Sequence, residues 1–260
     1  LFTHHCAHDI SMTETESDSL GIAPVRWESL DSLEFSLNAH WLCPYGDVMT
    51  DADVPRSSPA AGLADHASRA VSAIILVTLM LGGMWALEVT DYLVTDDNGA
   101  NSLDQYGIRA HHVGDLPHIF SAPFLHAGFG HLMANSIPFL VLGFLAAFRG
   151  IGKFVLANLV VILVAGAGIW LTGPSNGVTL GASILIFGYF GYLLGRGVFE
   201  RHLADVAIAV AVAAVYGTMI FGVLPSNPNI SWQGHLFGLF GGLLAAWRLR
   251  RRRESPALTA

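Results

Sequence analysis

Six apolar stretches follow one another along the second part of the chain, at roughly Ala70–Leu87, His131–Phe148, Phe154–Thr172, Leu180–Leu194, Leu203–Leu224 and Ser231–Trp247. A helix that crosses a bilayer needs about 20 apolar residues, with a usual range of about 17–25. Five stretches meet that length, and the fourth is short. A short spanning helix is tolerated where its end borders a water-filled cavity instead of lipid. Ahead of them, residues 1–68 are rich in Asp, Glu, Ser and Pro and carry no sustained apolar period. That composition predicts a disordered tail. Within it, Trp27, Leu30, Leu33, Phe35 and Leu37 have the spacing of one short amphipathic helix. The pattern predicts an all-α membrane protein: a polar tail over 1–68, a six-helix membrane domain over 69–250 and a basic tail over 251–260.

Composition sharpens this picture. The chain of 260 residues is 53% hydrophobic and only 13% charged, whereas soluble domains carry about a quarter charged residues. The net charge of −7 reflects acidic residues crowded into the first part. No basic stripe with interleaved aromatics is present, so nucleic-acid binding has no support. Cys6 and Cys43 both lie in the polar part and form no disulfide framework. Met12 and Met49 each open a run that reads like a natural start, and the residues before them are set aside in reasoning about the fold. His4, His5, Cys6 and His8 have the composition of a metal tract, but a frayed terminus accounts for them equally well, and no metal or cofactor is assigned.

Charge also predicts orientation. Arg69 precedes the first helix, Arg149 and Lys153 separate the second from the third, and Arg196 and Arg201 separate the fourth from the fifth. Arg248 and Arg250 to Arg253 follow the sixth, while only Arg109 falls in a loop on the other side. By the positive-inside rule both termini face the cytoplasm, as in a multi-pass protein of the cell (inner) membrane. Asp91, Asp96, Asp97, Asp104 and Asp115 then fall outside.

Polar side chains within spanning helices are costly and mark function by default. At 1.5 Å of rise per residue, His131 lies about 6 Å below the outer end of the second helix and Asn135 about 12 Å. Ser183 lies about 5 Å below a fourth helix that begins near Leu180, and His235 about 6 Å into the sixth. Three helices thus deliver a Ser, two His and an Asn to one layer. A serine hydroxyl becomes a useful nucleophile when an adjacent His takes its proton. Asn and His side chains with a backbone N–H can hold a developing oxyanion. Gly234, Gly238 and Gly242 repeat on one face of the sixth helix, and Gly181, Gly188, Gly191 and Gly195 thin the fourth. Small-residue faces let membrane helices approach closely, as a Ser183–His235 hydrogen bond requires. Taken singly, these residues have plain readings: a membrane Ser usually bonds its own backbone, and a lone His often only packs. His111 and His112 read as solvated, His126 as a loop fastener, and Glu88 as interfacial.

The motifs resemble those of the rhomboid family. HAGFGHLMAN (His126–Asn135), GAS (Gly181–Ser183) and GHLFGLFGG (Gly234–Gly242) are similar to its signatures on the second, fourth and sixth helices, in order. The resemblance spans about Arg69 to Arg253. It implies a six-helix rhomboid-like bundle and a Ser183–His235 dyad without an acidic third member, with His131, Asn135 and the Ser183 N–H as oxyanion donors. It further implies that Phe187 packs against the catalytic His ring, that Gly181 belongs to the nucleophile turn, and that Pro225–Asn229 is a movable cap. Substrates would be single-span membrane proteins, cut near the outer face. Two departures stand out. Ile184 occupies a position where many members carry Gly, and the outer loop lacks the Trp-Arg pair of many members, its nearest basic residue being Arg109.

Two other functions fit the same helices. A catalytically silent relative would bind membrane helices without cutting them, and such relatives typically lose Ser or His. A transporter would show an internal repeat with paired broken helices, which the sequence lacks.

Overall fold

The computed structural model describes residues 59–95, 102–226 and 230–250. The short amphipathic helix expected near Trp27, the two cysteines and the tail after Arg250 lie outside them. The described residues contain six α-helices: α1 (Pro59–Val94), α2 (Phe129–Ala147), α3 (Ile151–Thr172), α4 (Ser183–Phe199), α5 (Leu203–Tyr216) and α6 (Trp232–Arg248). Among the described residues, four helical segments are long and apolar enough to cross a membrane, namely 62–94, 129–147, 151–172 and 203–223. The last runs from α5 into the 3-10 turn Gly217–Val223.

The largest departure from the expected boundaries is α1. It starts at Pro59, well before Ala70, so residues 59–68 are helical rather than part of a polar tail. Proline suits a first helical position, where its missing N–H is not needed. The Ala-rich segment that follows, with an Asp65–Arg69 pair at 2.9 Å, carries the helix onward. At its other end α1 runs on past Leu87 to Val94, and Glu88 is buried against the rest of the protein.

The packing follows from where small and apolar residues recur. Ala73, Val77, Leu81 and Met84 form the buried stripe of α1. Val77 packs against Gly143 of α2, where a Cβ would stand 3.1 Å from a Val77 methyl. The central helix is α4, buried along almost its whole length, as befits a helix that is apolar all round. Its Tyr189 hydroxyl donates to Asn158 Oδ1 of α3 at 2.8 Å, and Asn158 Nδ2 donates to the Phe154 carbonyl at 2.8 Å, which satisfies the polar groups at the centre of the bundle. By contrast, α5 is mostly exposed, with only Asp205 and Val212 buried along it. Its packing is against α4, at Gly197 and Ala209.

Between α1 and α2, residues 102–128 form a structured layer. A strand, β1 (Ile108–Arg109), pairs antiparallel with β2 (Val178–Thr179), which leads into α4. Arg109 Nε and Nη2 grip the Asp115 carboxylate at 2.6 and 3.1 Å. That hydrogen-bonded contact holds the Asp115 carboxyl below its usual range. The lone basic residue of this layer is therefore a clamp within it. His111 is exposed, yet its ring meets the Leu171 carbonyl at 3.2 Å and Ser175 Oγ at 3.4 Å.

Candidate active site

The fourth apolar stretch is expected to be helical from Leu180, but α4 begins at Ser183 itself. Gly181 is the reason. Its φ of +128° is a conformation that residues with a Cβ avoid, and it ends the extended approach from β2. A Cβ there would also stand 2.7 Å from His131 Cε1. Glycine thus serves twice, for the bend and for the close approach of His131. Because α4 starts at Ser183, the Ser183 N–H belongs to the first turn, whose donors have no intrahelical acceptor.

The turn is fastened from the loop before α2. Gly181 N–H donates to the Ala122 carbonyl at 2.9 Å, and Ala182 N–H donates to His126 Nε2 at 3.1 Å. The expected role of His126 as a fastener matches this geometry. Its Nε2 must keep a free lone pair to accept, so the ring must be neutral. Burial, and then the neighbouring His131, bring its pKa down to about 4. The two rings meet edge to face at 5.2 Å.

α6 approaches α4 through its glycines. A Cβ at Gly238 would stand 2.5 Å from the Ile184 carbonyl oxygen, and one at Gly242 would run into the Gly188 carbonyl. This intimacy lays the His235 ring on Phe187, with ring centres 4.0 Å apart and planes 9° from parallel. The other contact of the ring is Nδ1 with the Gly222 carbonyl oxygen at 2.9 Å. A carbonyl can only accept, so Nδ1 carries the proton and Nε2 presents a lone pair.

A cavity of about 580 Å³ lies among α2, α4 and α6, lined by His131, Asn135, Ser183, Ile184, Phe187 and His235. The four polar residues that share a depth in the sequence thus share one cavity. Asn135 is buried, and its Nδ2 has no hydrogen-bond partner among the described residues. An unspent amide donor beside a serine is what an oxyanion would use. No hydrogen bond joins the Ser183 hydroxyl to His235 among the described residues. Such bonds are often long without substrate and tighten in the reacting complex. Ile184 is buried, with its side chain on the cavity wall and its Cγ1 3.4 Å from where a Gly234 Cβ would be. Of the cap loop, Pro225 and Ser226 are described and 227–229 lie outside the described residues. The Gly222 and Ala122 carbonyls carry no sequence signal, because a backbone acceptor is available from any residue type.

The chain also matches known proteins. A Rhomboid domain family model matches residues 113–252. An uncharacterized protein of Mycobacterium tuberculosis (strain H37Rv) is 42% identical over 178 residues, 64% of this chain and 74% of that protein. An uncharacterized Mycobacterium leprae protein is 38% identical over 197 residues, 72% of this chain and 76% of its own length. A Bacillus subtilis protein named "Putative rhomboid protease YdcA" is 35% identical over 133 residues, 50% of this chain and 65% of that one. With its apolar helices, the chain is an integral membrane protein seated in a lipid bilayer.

Proposed function

This chain belongs to the rhomboid family, and we propose that it is an intramembrane serine endopeptidase that cuts single-span membrane proteins. The observation that carries the proposal is the cavity that Ser183, His235, His131 and Asn135 line from three different helices. In the reaction, Ser183 Oγ attacks the scissile carbonyl carbon as His235 Nε2 takes the hydroxyl proton. The carbonyl oxygen becomes an oxyanion facing Asn135 Nδ2, His131 and the Ser183 N–H. Collapse expels the amine, which receives its proton from His235, and leaves an acyl-serine. Water, deprotonated by the same nitrogen, then releases the acid. The Nδ1 contact with Gly222 supports this role, because it fixes the tautomer a base needs. The reaction calls for no cofactor.

In the bilayer all six helices span, α4 and α6 with only 17 residues each. The Lys and Arg positions favour cytoplasmic termini in the cell membrane and a site opening to the outer face. A second reading, a silent protein that binds helices without cutting, draws on the missing Ser183–His235 hydrogen bond. Cleavage of a model single-span substrate in liposomes, wild type beside Ser183→Ala, decides between them: equal absence of product in both would sink the protease reading.

A further inference from the structure

At the end of the bundle away from Ser183, a second cavity of about 280 Å³ opens between the start of α1, the α2–α3 junction and the α4–α5 junction. Its lining is charged. Three guanidiniums, of Arg69, Arg149 and Arg196, face it beside two carboxylates, of Glu200 and Asp205. Asp205 is already hydrogen-bonded, whereas Glu200 Oε1 is buried with no hydrogen-bond partner among the described residues. Arg149 Nη2 and Arg196 Nε both hydrogen-bond one and the same oxygen, Asp205 Oδ1. Arg196 Nη1 also lies 3.4 Å from Glu200 Oε1.

This arrangement leaves donors unspent. Arginine forks are made for two parallel bonds to a carboxylate or phosphate, yet Asp205 gives both arginines a single oxygen. Arg149 Nε is buried without a hydrogen-bond partner among the described residues. Arg69 pairs with Asp65 in a solvent-exposed contact that water screens. His66, stacked on Phe148, and His202 complete the rim with two more groups able to donate.

The depth of the cavity points to a class of ligand. At this same end Lys153 Nζ contacts the Leu249 carbonyl at 3.4 Å, bringing the start of α3 beside the end of α6. There Trp247 is exposed and carries the Arg248 and Arg250 guanidiniums over its ring at 5.0 and 5.5 Å. Exposed Trp flanked by Arg marks the headgroup level of a bilayer, and basic pockets between helices at that level take anionic headgroups. We propose that the cavity bounded by Arg69, Arg149 and Arg196 is a binding site for a phosphate group, presented by an anionic lipid headgroup or by dissolved phosphate. Bound there, the phosphate completes the guanidinium forks and ties α1 to the α2–α3 and α4–α5 junctions. This inference does not depend on the proteolytic reading.

The test uses the full chain in a neutral maltoside detergent and reads its melting temperature. Dioleoylphosphatidylglycerol, dioleoylglycerol (the same tails without phosphate) and inorganic phosphate are titrated separately. A saturable rise with the phospholipid and none with dioleoylglycerol supports a lipid phosphate, and a rise with inorganic phosphate alone supports the dissolved form. Arg69→Gln is expected to weaken the apparent Kd roughly fivefold, the effect of one arginine at a headgroup. Arg149→Gln removes more but also unpairs Asp205, so Arg69→Gln is the decisive variant. Arg248→Gln, at the same end but outside the cavity, serves as the control. An equal rise with dioleoylglycerol, no rise with either phosphate, or an equal loss in Arg69→Gln and Arg248→Gln overturns the site.

Discussion

His235 Nδ1 donates its proton to the carbonyl oxygen of Gly222 at 2.9 Å, from the 3-10 turn that follows α5. The contact leaves Nε2 as the basic nitrogen and makes the end of the least buried span responsible for the tautomer of the proposed base. Ser183→Ala and His235→Ala are each expected to lower cleavage by on the order of 10⁴-fold or more while the protein stays folded, because nucleophile and base act as a unit. Product formation near the wild-type rate in either folded variant would remove the dyad.

The oxyanion donors are expected to matter less. Asn135→Ala and His131→Ala should each lower kcat by about 10²–10³, the usual effect of losing one such donor. Two fully active single variants would discard this assignment and leave the dyad standing.

Gly181→Ala tests the turn. A methyl at a φ of +128° and 2.7 Å from His131 Cε1 must strain the backbone or push the imidazole away. Strain at such positions costs roughly 1–3 kcal/mol, so the melting temperature and the cleavage rate should fall together. A variant unchanged in both would mean that the turn relaxes freely.

Ile184→Gly probes the departure beside the nucleophile. Opening the cavity wall is expected to raise turnover in assays below the melting transition. Glycine in a helix costs about 1 kcal/mol relative to Ala, and losing a buried Ile side chain adds about 2–5 kcal/mol. The structure makes the second effect the larger, because Ile184 is 2% exposed. Unchanged or lower turnover in the folded variant would mean that the site accommodates Ile184.

Acid should loosen the Ala182 fastening. His126 titrates at about 4 in the folded protein, against an ordinary value of 6.5. The unfolded chain therefore takes up the proton first as pH falls, and stability is lost progressively from about 6.5 down to about 4. His126→Gln removes this titration while keeping a side-chain oxygen able to accept. Its melting temperature should fall less steeply over that window, and parallel curves would exclude His126 as a contributor.

Much of this molecule is written in its apolar periodicity. The boundaries of α2, α3 and α6 lie within a few residues of their hydrophobic stretches, and the four polar residues at a common depth do line one cavity. Ser183 is the instructive exception. Its neighbours Leu180, Gly181 and Ala182 are apolar or small, so hydropathy extends the helix over them. The positive φ of Gly181 ends it, and a backbone dihedral leaves no trace in hydropathy. The burial of Glu88 is illegible for a related reason: Leu87 closes an apolar run, but hydrogen bonding carries α1 on to Val94. The strand pair between β1 and β2 is hidden because two-residue strands have no period to detect.

The proposed nucleophile and base stand on α4 and α6, with all of α5 between them in the chain. Synthesis runs from the N-terminus, so Ser183 is made well before His235. A nascent chain therefore holds a serine with no histidine to activate it. Gly222, which sets the imidazole's proton, is also made before the ring it orients. In the proposed mechanism the catalytic pair therefore waits for α6, and a product truncated before His235 would carry the serine into the membrane without its proposed base.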